Sequence, residues 1–265
     1  MKGFIMGFQE LLYEKTEGVG VITLNRPDRL NALNRTILLE LIQVLQEATT
    51  DNEVRVVLIT GAGKGFCAGG DLKGHPSFET SDPLVREGYV KESHQAILLL
   101  HHMPKPVVAA VNGVAAGAGM NIALSCDIRL ASDTAVFTES FIKAGIMTDM
   151  GGSYFLPRIV GVGRAIEMIL TAEKIDAAEA CRIGLVNKVF PDAEFRTAAL
   201  SYAKELAKGP RQAYKMAKWA IYTGLQLDLE DALKHEELGQ ALLIGTEDSS
   251  NAIKAFIEKR TPVFK

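Results

Sequence analysis

Cysteine is scarce in this chain: Cys67, Cys126 and Cys181 are the only three among 265 residues. They are odd in number, far apart and form no C-x-x-C pair, which excludes a disulfide framework and a zinc knuckle. A reducing cytosol is the expected setting. An excess of one charge is also lacking. Lys and Arg number 29 against 32 Asp and Glu, a net charge of −3, so no basic footprint for nucleic acid exists. Long apolar runs are missing too. No stretch approaches the roughly 18 apolar residues that span a bilayer, and the apolar run before Gln9-Glu10 is too short for a secretory h-region and cleavage site. A cytoplasmic protein with no nucleic-acid or membrane partner is expected.

What is present is ordinary globular material. At 48% hydrophobic and 23% charged, the chain is apolar enough to escape disorder. Its length suits one large domain, or one with a smaller appendage, with a core that needs no staples. Val19–Leu24, Val54–Thr60, Pro106–Val111 and Cys126–Leu130 read as strands, the second as a buried one. Between the first two, Ile37, Leu38, Leu41, Val44, Leu45 and Ala48 recur at helical spacing, predicting a helix over 36–48. Strands alternating with helices give an α/β class. From about Asp192 the texture becomes helical, over 192–208, 210–224, 228–243 and 248–259. The expected division is an α/β core over residues 1–190 and a helical region over 191–265.

Fourteen of the 24 glycines lie in the stretches 61–74, 113–119 and 145–163. Such stretches are either tight turns or loops that bring backbone N–H groups close to a ligand. The first follows a strand, so nucleotide motifs must be tested there. G-x-G-x-x-G fails because Phe66 stands at the third glycine, and no Gly-Lys is followed by Ser or Thr. Thr60-Gly61-x-x-x-Gly65 matches part of a short-chain dehydrogenase signature, and Tyr214-x-x-x-Lys218 has that family's spacing. Cys67 breaks the first pattern, and the second arises easily by chance. Adjacent His101 and His102 diverge on a helix and make a poor metal pair. His235-Glu236-Glu237 lacks a zincin's second histidine, and no G-x-S-x-G elbow occurs.

Several ordered motifs together resemble the enoyl-CoA hydratase/isomerase (crotonase) superfamily. They are Leu24-Asn-Arg-Pro27, Asn31-Ala-Leu-Asn34, Gly65-Phe-Cys-Ala-Gly-Gly-Asp-Leu72, Lys105-Pro-Val-Val-Ala-Ala-Val-Asn-Gly113 and Ala116-Gly-Ala-Gly119. Ser125-Cys-Asp127, Phe137, Gly145-Ile146, Gly184-Leu-Val186 and Lys259-Arg-Thr-Pro262 extend the match. The resemblance implies a crotonase (ClpP/crotonase-like) fold of stacked ββα turns completed by C-terminal helices. It further implies a homotrimer or homohexamer, an acyl-CoA thioester as substrate, and no cofactor or metal, since CoA arrives with the substrate. Two backbone N–H groups, matched here to Ala68 and Ala118, would hold the thioester oxygen as it becomes an enolate. One such preorganised donor is typically worth ~3 kcal/mol.

The resemblance also places substrate-binding residues. Arg26 or Arg29 would approach the pyrophosphate, and the backbone of Ala68, Gly69, Gly70 and Asp71 the adenine. Phe256 and Lys259 would approach the 3′-phosphate, although Lys259-Arg260 equally suits a helix C-terminus.

Fold does not fix the reaction. The family's hydratases use two glutamates, and the matching positions here are Asn121 and Phe141. Both carboxylates are absent, so Asn121 and Phe141 are expected to line the substrate. Glu139 is displaced by two residues. What remains is Asp149, in Gly145-Ile-Met-Thr-Asp-Met-Gly-Gly152, a position resembling the catalytic aspartate of phenylacetate-pathway enoyl-CoA isomerases (the 1,2-epoxyphenylacetyl-CoA isomerase type) and of 4-chlorobenzoyl-CoA dehalogenase. The dehalogenase also needs a base for water, usually a histidine; His94 is the candidate, although alignment through the variable segment 75–100 does not fix it. Asp149 could instead simply cap a helix.

A single carboxylate suits an enoyl-CoA isomerase, with Asp149 moving a proton between C2 and C4 behind an apolar wall of Phe141, Met147 and Met150. Two alternatives stay open: a hydratase of fatty-acid β-oxidation using Glu139 with Asp149, and a non-enzymatic acyl-CoA binder. The acyl pocket is expected in segment 75–100.

Overall fold

The computed structural model describes residues 7–73 and 79–264; residues 75–78 of the expected acyl-pocket segment lie outside this range. In chain order the elements begin with β1 (Leu11–Thr16), β2 (Val19–Leu24), α1 (Arg35–Thr50), β3 (Val56–Gly61), β4 (Gly65–Cys67) and α2 (Pro83–His102). There follow β5 (Val107–Val111), β6 (Val114–Ala116), α3 (Ala118–Ser125), β7 (Ile128–Ser132) and β8 (Val136–Thr138). Then come α4 (Gly152–Val160), α5 (Val162–Thr171), β9 (Ile175–Asp176), α6 (Ala177–Arg182) and β10 (Lys188–Phe190). Four helices finish the chain: α7 (Asp192–Ala207), α8 (Arg211–Gly224), α9 (Leu229–Leu243) and α10 (Glu247–Ile257).

Two sheets result. The six-stranded sheet runs β1-β2-β3-β5-β7-β10, and the four-stranded one β4-β6-β8-β9. Among the described residues, only the hairpin β1–β2 and the pair β8–β9 are antiparallel. The repeating unit is a strand in the large sheet, then a short strand in the small sheet, then a helix or turn. β3 leads into β4, β5 into β6 and β7 into β8, so successive units stack in parallel. Cys67 pairs with Ala115, and Ala116 with Thr138. This stacking brings the ends of β4, β6 and β8 side by side, although they are far apart in sequence.

Burial explains the stack. β3 and β5 are buried along their whole length, as expected for parallel strands covered on both faces. One face is covered by α1, which buries Ile37, Leu38, Leu41, Ile42, Val44, Leu45 and Ala48, and whose first turn is capped by the Asn34 side chain accepting from Ile37 N–H. The other face is covered by α7, whose Phe195, Ala199, Ala203 and Ala207 pack on Val19, Val56, Leu58, Val108, Ala110 and Leu130. The first C-terminal helix is therefore a layer of the core. α8 is tied to the core as well. Lys218 Nζ donates to Asp127 Oδ2 at 2.6 Å and Tyr222 donates to Oδ1 at 2.7 Å, which engages the lysine of the dehydrogenase-like pair in a structural contact.

The helix expected over 36–48 extends one residue earlier and two later. The strands near 54–60 and 126–130 each begin two residues further on, because Val54 and Cys126 lie in the turns that enter them.

The close approach of units shows at Gly119, on the first turn of α3, where an added Cβ would collide with the Cys67 carbonyl and side chain. Gly119→Ala should therefore lower the thermal midpoint by on the order of 5 °C, the cost of overpacking without room to relax. A melting curve of the variant checks this.

Candidate active site

The ends of the stacked short strands carry the site. After β4 the chain runs through Ala68, Gly69 and Gly70, with Gly69 at φ +96°. A side chain there would be strained in any case, and its Cβ would lie 2.8 Å from the Ala116 carbonyl and 3.7 Å from the Ala118 nitrogen. The β4 and β6 loops are thus in contact, and glycine is required where they meet.

The N–H groups around this contact divide into engaged and open ones. Ala68 N–H donates to the Leu30 carbonyl at 2.9 Å and Asp71 N–H to the Leu33 carbonyl at 2.8 Å, while Leu33 N–H donates to the Gly69 carbonyl at 2.7 Å. Ala68, matched by resemblance to an oxyanion donor, is therefore already engaged. Gly70 N–H has no partner among the described residues; Gly70 is exposed, and nothing lies within 4 Å of where its Cβ would be. The open donor of this loop is two residues beyond the expected one. Ala118 N–H opens α3 and also has no partner among the described residues, as first-turn donors of a helix do. The helix dipole adds to its attraction for negative charge.

Asp149 lies on the loop before α4. The cap of α4 is Gly151, with no side-chain bond, so Asp149 does not cap the helix. Its side chain turns instead to α2, where His94 Nε2 lies 2.6 Å from Asp149 Oδ1. With Nε2–H donating to the carboxylate, one oxygen is fixed. Oδ2 has no partner among the described residues, and the side chain is about one-third exposed (34%). The apolar wall is only partial. Met150 is buried and Phe141 half-buried, but Met147 is 75% exposed. A polar partner, not an apolar enclosure, stands nearest to Asp149. The sequence alone did not place His94, because its position depends on how α2 packs across a separation of 55 residues.

Asn121 is fully buried, and its Nδ2 donates to the Asp149 carbonyl at 2.7 Å. It is a strut for the Asp149 loop and offers no surface to a substrate, which corrects the expectation that it lines one. Phe141 is half-buried beside Gly117, where an added Cβ would lie 3.5 Å from its ring. Glu139 is also fully buried, and its Oε2 accepts from Thr148 Oγ1 at 3.0 Å. It is not open to solvent beside Asp149, so the geometry does not favour a Glu139–Asp149 hydratase pair.

Of the expected CoA contacts, Arg26 is engaged internally. Its guanidinium holds Glu10 at 3.1 Å, Asp71 at 3.0 Å and the Ala32 carbonyl. Burial opposes charge on Asp71, but the hydrogen bond from Arg26 and the nearby positive charge outweigh it and hold the carboxyl below its ordinary range. The Asp71 side chain is therefore a brace for the β4 loop. Arg29 is exposed beside this brace and has no side-chain partner among the described residues. Phe256 (85% exposed) and Lys259 lie at the end of α10. Among the described residues, no hydrogen bond or ion pair links them to the β4 or β6 loops. No group of three or more His, Cys, Asp and Glu among the described residues is placed to hold a metal.

Comparison with known proteins agrees with this architecture. The chain is 41% identical over 256 residues to the short-chain-enoyl-CoA hydratase of Clostridium acetobutylicum, covering 96% of this chain and 97% of that one. It is 40% identical over 260 residues to a protein of Rhodobacter capsulatus named "Probable enoyl-CoA hydratase", covering 98% and 99%. The crystal structure of an enoyl-CoA hydratase from Bacillus anthracis superposes with a TM-score of 0.91 at 36% identity, covering 97% of this chain and 99% of that chain. With a family profile matching residues 14–265 as well, the chain belongs to the enoyl-CoA hydratase/isomerase family and has its crotonase fold.

Proposed function

We propose that this member of the family is an enoyl-CoA isomerase, of the kind found in phenylacetate catabolism, with Asp149 as its single base. The observation that carries this reading is that, among the described residues around the β4 and β6 loops and Phe141, Asp149 is the carboxylate that is both partly exposed and left with an unpartnered oxygen. The two positions of the hydratase glutamates hold Asn121 and Phe141, and Glu139 is buried in a hydrogen-bonded cluster.

Asp149 Oδ2 takes a proton from C2 of a 3-enoyl-CoA. The electron pair moves onto the thioester oxygen, which Gly70 and Ala118 N–H stabilise as a dienolate. The proton then returns from Asp149 to C4, and the double bond moves from C3–C4 to C2–C3 with no change in composition. Fixed donors aimed at a developing oxyanion commonly supply the largest share of such catalysis. His94 keeps Oδ1 in place through the cycle and so positions the base.

The CoA handle comes with the substrate, and Arg29 is its proposed pyrophosphate contact. Phe256 and Lys259 are left for the 3′-phosphate in a homotrimer or homohexamer. Exposed Val162, Ile166, Leu170, Leu229 and Leu233 give that assembly apolar surface to bury. Among the described residues no helix is long and apolar enough to cross a membrane, consistent with the cytoplasmic setting proposed.

The relatives' names favour a second reading, hydration of a 2-enoyl-CoA. Separate incubation with 3-enoyl-CoA and 2-enoyl-CoA, followed by chromatography and mass spectrometry, decides between them. Interconversion without mass change is the expected result. Gain of one water by the 2-enoyl substrate would establish the hydratase.

A further inference from the structure

Glu139 takes no part in the chemistry above, yet it lies at the centre of a buried polar cluster behind the proposed base. It follows β8 and opens the short turn Ser140–Ala144. Its Oε2 accepts from Thr148 Oγ1, one residue before Asp149. Asn121 Nδ2, from α3, donates to the Asp149 carbonyl and lies 3.4 Å from the same Thr148 hydroxyl. Gly152 closes the cluster, since a Cβ there would strike both Thr148 Oγ1 and Asn121 Nδ2. Within this cluster two buried oxygens, Glu139 Oε1 and Asn121 Oδ1, have no partner among the described residues. Both are acceptors while Glu139 is ionised. A proton on Oε1 removes the charge of a fully buried carboxylate whose donor at Oε2 is the neutral Thr148 hydroxyl. A buried charge is far costlier to leave uncompensated than a neutral polar group, and protonation of Glu139 removes that charge.

We propose that Glu139 is a positioning residue held as a neutral carboxylic acid, which fixes the Asp149 backbone through Thr148 and Asn121. The inference rests on the reading of Asp149 as the base. When Glu139 ionises, its carboxylate competes for the Asn121 amide N–H that now holds the Asp149 carbonyl. The base then loses its strut, and the rate falls.

The surroundings favour the neutral form. Burial pushes the Glu139 carboxyl up to about 7, against the opposing hydrogen bonds of Thr148 and Asn121. Among the described residues, no charged side chain is a cause of this shift. α3 and β6 carry no titratable residue. Lys143 of the turn and Arg158 of α4 are exposed, and Arg164 of α5 is paired with Glu167 and Glu179. Asp176 of β9 caps α6. His94 and Asp149 are paired with each other.

Glu139→Gln is isosteric with the neutral acid. It keeps an acceptor for Thr148 and an N–H donor in place of the acid O–H, and it cannot ionise. Turnover of 3-enoyl-CoA by the unmodified enzyme should fall at least fivefold between about pH 6 and about pH 8, with a midpoint near 7. Glu139→Gln should hold the acid-side rate across that range, and Glu139→Ala should be slow throughout. The same alkaline fall in Glu139→Gln, or full activity in Glu139→Ala, would overturn the proposal. Infrared difference spectra between the two pH values provide a readout independent of turnover. A carboxylic C=O band should be lost on raising the pH, and the band should be missing from Glu139→Gln; without such a band in the unmodified enzyme the neutral-acid assignment fails. If 3-enoyl-CoA is not turned over at any pH, the isomerase reading falls, while the band still decides the state of Glu139.

Discussion

Replacing Asp149 by asparagine should lower kcat for the double-bond shift by about 10³-fold while leaving KM nearly unchanged, a size typical of removing a positioned general base. The substitution is close to isosteric. Asparagine Oδ1 can still accept from His94 Nε2–H, so the side chain keeps its place and only its basicity is lost. The backbone is held separately, by Asn121 Nδ2 on the Asp149 carbonyl and by Gly152 N–H donating to the same oxygen at 3.1 Å. The loop should therefore survive, and the kinetic loss should report proton transfer alone. Steady-state turnover of a 3-enoyl-CoA by both proteins checks it. A variant that loses less than tenfold would remove Asp149 from the base role. A variant that loses isomerisation but still hydrates a 2-enoyl-CoA would show that water is activated by another group. An equal loss of both reactions would show that one carboxylate serves the two.

Much of the fold was legible in the sequence because it is written in periodicities. Continuous apolar runs marked β2, β3, β5 and β7, and helical spacing marked α1 and the four last helices. The small sheet was not legible. β4, β6 and β8 are three residues each, too short for any period to show, and they lie in Gly- and Ala-rich sequence that reads equally well as turn. α2 was missed for another reason. Only Ser93, Ala96, Ile97 and Leu100 of its 20 residues are buried, and Leu84, Val85 and Leu98 are apolar but exposed, so no clear apolar stripe shows in the sequence. Without α2, His94 was a candidate that could not be placed, since no local signal connects residue 94 to residue 149. Asp149 stood out in the sequence because Asn121 and Phe141 occupy the two positions where the family's hydratases carry glutamates. In the loop after β4, motif matching pointed to Ala68 N–H, whereas the N–H left open is that of Gly70, two residues on. Motif matching fixes a segment, whereas the direction of each N–H depends on Gly69 turning the chain at φ +96°. Only the backbone geometry shows that Ala68 faces Leu30 and Gly70 faces open space.

Gly70→Pro should reduce kcat by about 10²–10³-fold, the typical effect of removing one oxyanion donor, while Gly70→Ala should stay within about twofold of the unmodified chain. Proline removes the N–H; alanine keeps it. The site tolerates the added carbon, because nothing lies within 4 Å of an alanine Cβ there and Gly70 is not at positive φ. The neighbouring bridge is spared in both variants. Its hydrogen bonds use Leu33 N–H, the Gly69 carbonyl, Asp71 N–H and the Leu33 carbonyl, and none uses Gly70 N–H. The pair therefore separates loss of a donor from loss of space. If Ala68 were the donor, as motif matching alone implies, Gly70→Pro would leave the chemical step largely intact. The expected loss lies in kcat more than in KM, because the bond strengthens as charge reaches the oxygen and is weaker to the neutral thioester. Full activity in Gly70→Pro would shift the oxyanion role away from Gly70 and leave Ala118 as the sole backbone donor of the proposed pair.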